Sequence, residues 1–135
     1  MRIGEMARQS GCDVETVRYY EKVGLLPNPS RNDSGYRQYL PTHLERLQFI
    51  RHCRSLQMRI PDIRALLELQ AQPTSGCQRV DELLDHHIEL IQVQMQKLQS
   101  LEQQLLRLRH QCEKPHLVQE CGILQNLSET ASSNE

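Results

Sequence analysis

The amino-acid sequence predicts a mainly α fold: a winged helix-turn-helix over residues 1–75, a long antiparallel coiled-coil helix over 76–112, and a short C-terminal loop and tail over 113–135. Three observations carry that expectation. Two short helical stretches flank a glycine-containing turn and lead into a hairpin signal. An apolar repeat of alternating four and three then runs without proline or glycine from Val80 to Leu108, and Pro115 follows its end. With 38% hydrophobic and 24% charged residues, the chain has the composition of a folded protein rather than a disordered one. No apolar run approaches the length of a membrane span, and the start Met1-Arg2-Ile3-Gly4-Glu5 has no apolar signal region. A cytoplasmic location without membrane contact is expected.

The first helix is expected over Ile3–Gln9. After the turn Ser10-Gly11-Cys12-Asp13, Asp13 can cap a second helix over Val14–Val23, and Gly24 supplies its stop. In a helix-turn-helix the second helix enters a groove, which would present Glu15, Thr16, Arg18 and Tyr19 or Tyr20 outward. Leu26-Pro27-Asn28-Pro29-Ser30 cannot continue a helix, and Arg31-Asn32-Asp33-Ser34-Gly35 reads as the turn of a β-hairpin wing carrying Arg31, Tyr36 and Arg37. Thr42-His43-Leu44-Glu45 has the form of a capping box opening a helix through about Arg54, and Pro61 starts another. Cys53 and Cys12 read as small apolar fillers.

Charge divides the chain. Residues 1–59 carry ten Lys and Arg against six Asp and Glu, and residues 60–135 carry six against eleven. All five aromatic rings lie in the basic half, a pattern that suits contact with nucleic-acid phosphates. The acidic half is dominated by the repeat Val80, Leu84, His87, Ile91, Gln94, Leu98, Leu101, Leu105 and Leu108. Such a seam on a single long helix needs a partner, and a second copy of the chain is the economical one. Counting back from Val80 by three and on from Leu108 by four places Cys77 and Cys112 on the same face.

At about 1.5 Å of rise per residue the two cysteines stand about 52 Å apart on one helix, so they cannot share an ion within a chain. In an antiparallel pair, Cys77 of one subunit comes beside Cys112 of the other, and the break at Pro115 lets Cys121 loop back. The expectation is two symmetric sites per dimer, each with the thiolates Cys77, Cys112 and Cys121 drawn from both subunits. Three sulfurs favour soft cations over magnesium, calcium or manganese. His87 on the seam reads as a register residue, with His86 beside it, while His110 and His116 flank the expected site. Residues that would set a nucleophile beside an oriented base are lacking, so an enzyme is not expected. A thiol-based metal-buffering protein is the alternative of a different class, and it leaves the helix-turn-helix without a use.

Val14-Glu15-Thr16-Val17-Arg18-Tyr19-Tyr20-Glu21, Gly24-Leu25-Leu26-Pro27 and Gly35-Tyr36-Arg37-Gln38-Tyr39 resemble the DNA-binding signature of MerR-type regulators, and the likeness runs over nearly the whole chain. Phe49-Ile50-Arg51-His52-Cys53-Arg54-Ser55-Leu56 and Cys121-Gly122-Ile123-Leu124-Gln125 resemble the cadmium- and lead-responsive, CadR- and PbrR-like branch. That resemblance implies a homodimer on double-stranded promoter DNA. It implies activation of metal-resistance genes by DNA distortion, so that RNA polymerase engages both promoter elements. It also implies cadmium(II) or lead(II) as inducer, with mercury(II) or zinc(II) as alternatives. Copper(I) and gold sensors of the family carry serine where this chain has Cys77. Zinc sensors carry an adjacent cysteine pair where Cys112 is here followed by Glu113, and zinc prefers four ligands in a structural site. Mercury sensors use three cysteines at similar spacing. Some cadmium regulators have a His-rich tail, whereas Ser128 to Glu135 contains no histidine.

Overall fold

In the computed structural model, which describes residues 1–115 and 117–129, the chain opens with two short helices around a tight turn, α1 (Ile3–Ser10) and α2 (Val14–Lys22). Gly11 ends α1 at φ 73°, and the N–H groups of Gly11 and Cys12 close on the carbonyls of Arg8 and Ala7 at 3.3 and 3.0 Å. A side chain at 11 would be strained by that φ, and its Cβ would stand 2.8 Å from Arg51 Nη1, whose guanidinium donates to the Ser10 carbonyl. The φ is what requires glycine, since the tip of the Arg51 side chain can shift aside. Asp13 caps α2 as expected, its Oδ1 accepting from the Thr16 N–H at 2.7 Å, and the Thr16 contacts hold its carboxyl below the ordinary aspartate range. At the other end the N–H groups of Leu25 and Leu26 return to the Tyr20 carbonyl, which turns both leucines into the core.

The wing is a two-stranded antiparallel hairpin, β1 (Ser30–Arg31) and β2 (Arg37–Gln38), with Ser30 opposite Gln38 and Arg31 opposite Arg37. Asn32 builds its turn, its Oδ1 accepting from the N–H groups of Ser34 and Tyr36 at 3.0 and 2.9 Å. α3 (Pro41–Ser55) corrects one expectation. It begins before Thr42, with Leu40 as the cap residue and Pro41 in the first turn. Leucine has no acceptor, so only the return half of a capping box forms: the Leu40 N–H donates to His43 Nδ1 at 2.9 Å. Pro41 already has the φ a first helical residue needs, and this shifts the start two residues upstream of the Thr42 box. α4 (Ile60–Gln70) carries Pro61 in its first turn as expected.

Each of these helices contributes to one apolar core. Met6, Val17, Leu25, Leu47, Ile50 and Ile63 are fully buried, and burial of a side chain of this size contributes about 1.5–3 kcal/mol. Cys53 joins them, and burial raises its thiol pKa, in keeping with a filler. Cys12 is half-buried and packs against the same cluster. This core belongs to the first of two compact units, Met1–Leu84 and Asp85–Glu135.

α5 (Gln78–Arg109) is a single helix of 32 residues, and none of its side chains is buried. On the seam, Leu98 and Leu105 are each 65% exposed. After α5 a 3₁₀ turn (Val118–Glu120) leads to α6 (Gly122–Ser128), a helix where the sequence analysis expected loop and tail. α6 folds back along the end of α5, so that Leu101, Leu105 and Leu108 face Asn126 and Leu127 across an open groove of about 370 Å³. Among the described residues no helix is long and apolar enough to cross a membrane.

Candidate nucleic-acid interface and metal centre

The basic face is built by α2 and the wing. Glu15, Arg18 and Tyr19 are exposed on α2 and Thr16 is half-buried beside them; on the wing Arg31 and Tyr36 are exposed and Arg37 is half-buried. Tyr20 does not join them. Its ring is 7% exposed and packs in the core, three residues on from the buried Val17, and burial raises its hydroxyl pKa. A side chain pointing into the core cannot face a groove, so of the tyrosine pair only Tyr19, half exposed, remains on the outer face.

Arg18, Arg31, Tyr36 and Arg37 line one cleft of about 330 Å³, and Arg2, which the sequence analysis passed over, lines it as well. Three of the four arginines are held. Arg31 Nη1 donates to the Gly35 carbonyl at 2.8 Å, and Arg37 Nη1 meets Glu21 Oε2 at 3.4 Å. The other oxygen of Glu21 accepts from the Tyr39 hydroxyl, and burial with that carboxylate pushes the Tyr39 pKa far above its ordinary value. The Arg2 guanidinium lies 4.2 Å from the centre of the Tyr36 ring. What the arrangement offers is a set of forked N–H donors beside an exposed helix face, the chemistry of phosphate contact flanking a groove.

At the far end of α5 the chain brings two of the three expected thiols together. Cys112 and Cys121 are near enough to shift each other's titration in opposite directions, while the Cys112 thiol donates to the Lys114 carbonyl at 3.7 Å. Cys121 is held below the ordinary thiol range, first by the Leu124 N–H and then by the Ile123 N–H and Cys112. Cys112 is pushed up by the same neighbour and by slight burial. The approach depends on Gly122: a Cβ there would stand 2.8 Å from the Gln111 carbonyl oxygen, so glycine lets the returning chain close on the end of α5. Cys77 precedes α5 and is exposed, in the other unit. Among the described residues of one chain no group of three or more His, Cys, Asp and Glu side chains converges.

His110 Nδ1 pairs with Glu113 Oε1 at 3.0 Å. His116 and residues 130–135 lie outside the described residues. His86 is exposed and His87 half-buried on α5. Two neighbouring sulfurs offer the soft donor chemistry that suits a thiophilic cation.

The family model described as MerR HTH family regulatory protein matches residues 1–70, and that described as MerR, DNA binding matches residues 44–108. The chain belongs to the MerR family. As a MerR-type protein it is a DNA-binding transcription regulator, and it stands among metal-responsive relatives. It is 44% identical to the transcription regulator PbrR691 from Ralstonia metallidurans CH34, solved in complex with lead(II), over 95% of this chain and 99% of that one, with a TM-score of 0.85. The MerR regulator from Bacillus megaterium MB1 in complex with mercury(II) is 30% identical over 96% and 100% of the two chains, with a TM-score of 0.74. The ZntR homolog of Haemophilus influenzae, an HTH-type transcriptional regulator, is 39% identical over 81% of each chain. The shared architecture is the helix-turn-helix with wing followed by the long helix α5.

Proposed function

We propose that this MerR-type chain is a cytoplasmic homodimer that sits on a promoter and activates metal-resistance genes when cadmium(II) or lead(II) binds at each end of its paired α5 helices. The observation that carries the reading is the thiol pair Cys112–Cys121, closed over Gly122 at the end of a helix whose apolar seam is exposed. The third sulfur is the partner subunit's Cys77. Residues 1–75 form the DNA-binding domain, 76–112 the dimerisation helix and 113–135 the metal-binding segment that carries α6. On DNA, Glu15, Thr16, Arg18 and Tyr19 face the groove, and Arg31, Tyr36 and Arg37 take the flanking backbone.

The ion supplies sulfur bonds that are stronger in the activating arrangement of the dimer than in the repressing one, and only that difference shifts the equilibrium. The chain's own part is mechanical. Cys112 and Cys121 tie the α5–α6 turn to the start of the partner's α5, which leads directly into the DNA-binding domain. The two domains then shift, the promoter bends and untwists, and RNA polymerase engages both of its elements. The resemblance in sequence and in structure to the lead(II)-bound regulator supports this ion class. Mercury(II) is the second reading, favoured by the likeness to the mercury(II)-bound relative. Zinc(II) would find three sulfurs where it prefers four ligands.

Titration of the reduced dimer with cadmium(II), lead(II), mercury(II) and zinc(II), read by thiolate-to-metal charge-transfer absorption, tests the reading. We expect about one ion per subunit and weaker binding in each of Cys77→Ser, Cys112→Ser and Cys121→Ser. Unchanged binding in all three variants would remove the sensing half and leave the DNA-binding half.

A further inference from the structure

Four arginines from separate parts of the first unit line one open cleft of about 330 Å³: Arg2 ahead of α1, Arg18 on α2, Arg31 on β1 and Arg37 on β2, with Tyr36 beside them. No carboxylate lines it among the described residues. Arg37 is partly neutralised by Glu21 at 3.4 Å, whereas Arg2 and Arg18 have no ion pair among the described residues. Like charges drawn into one concavity repel, and an anion seated there relieves that repulsion.

The geometry of Arg2 singles it out. Its guanidinium carbon lies over the Tyr36 ring, 4.2 Å from the ring centre, a cation–π contact that spends none of its N–H donors on a protein acceptor. The segment that carries it is also pinned to the wing, because the Tyr39 N–H donates to the Met1 carbonyl at 2.7 Å. A long side chain held this way loses less freedom when it binds than one waving in solvent.

We propose that this cleft seats a backbone phosphate of duplex DNA and that Arg2, steadied by Tyr36, is a phosphate-contacting residue that joins the start of the chain to the wing. The inference rests on the DNA-binding reading above and deepens it by naming the ligand group and a residue that the helix-turn-helix pattern does not contain. Because every base pair carries the same phosphates, the contact adds affinity without sequence preference.

The test measures binding of full-length protein to its promoter duplex and to a random duplex of equal length over a series of salt concentrations. Arg2→Ala weakens both by the same factor, roughly tenfold. The slope of log affinity against log salt becomes shallower by about one. Arg2→Lys retains the slope but recovers only part of the affinity, since an ammonium cannot fork onto two oxygens. The double variant Arg2→Ala with Tyr36→Leu loses less than the product of the two single losses. Arg2 is exposed, so an unchanged melting temperature separates these effects from unfolding. The proposal is overturned if the wild type binds the promoter and Arg2→Ala matches it in affinity and slope, or if the loss is confined to the promoter duplex. A wild-type dimer that fails to bind the promoter at all would instead overturn the DNA-binding reading on which the proposal rests.

Discussion

The unit Met1–Leu84 and the helix α5 follow opposite designs from similar apolar content. In the first, α1 to α4 pool their apolar residues into a core where Met6, Leu47, Ile50 and Ile63 are fully buried. Along α5, by contrast, no residue is buried, and Leu98, Leu101 and Leu105 are all more than half exposed. Burial and periodicity are separable properties. A 3.6-residue pattern whose partners lie in the same chain gives a domain, and the same kind of pattern with no partner in the chain gives an interface awaiting a second copy. The thiol pair sits at the end of the second kind of element, where subunits would meet.

That contrast can be broken from either side. The largest effect is expected in the core, where Ile50→Ala should cost about 2–5 kcal/mol of stability, read by denaturant unfolding. Leu98→Glu with Leu105→Glu should leave the core signal intact but give a monomer by sedimentation. Loss of the second DNA-binding domain should then lower promoter affinity by about a hundredfold or more. Gly122→Ala, which puts a Cβ against the Gln111 carbonyl, should part Cys121 from Cys112 and weaken metal binding by roughly tenfold or more with the dimer preserved.

Thiol reactivity sharpens the picture further. Cys121, its pKa lowered, should be alkylated faster than Cys112 near neutral pH, and Cys53 slowest of the three, as mapped by mass spectrometry. Since thiols must lose their protons to bind, metal affinity should rise with pH. The smallest effect concerns Asp13. Its carboxyl is lowered in the folded state, so its contribution is present above the ordinary aspartate pKa and fades as pH falls through the lowered one. Asp13→Ala should therefore lower the melting temperature slightly at neutral pH and not at all in strong acid.

Much of this was legible in the sequence because punctuation and period agree. Gly11, Asp13 and Gly24 bracket α2 just where the helix forms, and Asn32 with Gly35 marks the wing turn. The misplaced start of α3 shows the limit: Thr42 offers a capping side chain, but Pro41 and the His43 ring satisfy the helix end two residues earlier, a competition that only geometry resolves. Tyr20 was readable in principle, being one helical step from Val17, yet an adjacent tyrosine pair hides which ring turns inward. α6 has no sequence signal of the usual kind, since it opens on glycine and is short; its place depends on the close passage of Gly122 past Gln111. Arg2 escaped notice because its neighbours in the cleft come from α2 and the wing, which no local pattern connects to the start of the chain.

The central claim is that each metal site takes thiolates from both subunits. Refolding Cys77→Ser together with the double variant Cys112→Ser, Cys121→Ser tests it directly, since neither protein alone can assemble three sulfurs. The account predicts that each variant by itself shows little cadmium(II) charge-transfer absorption and that the mixed dimer regains a three-thiolate band, with one complete site per heterodimer. A heterodimer verified by mass that shows no more absorption than its parents would contradict it.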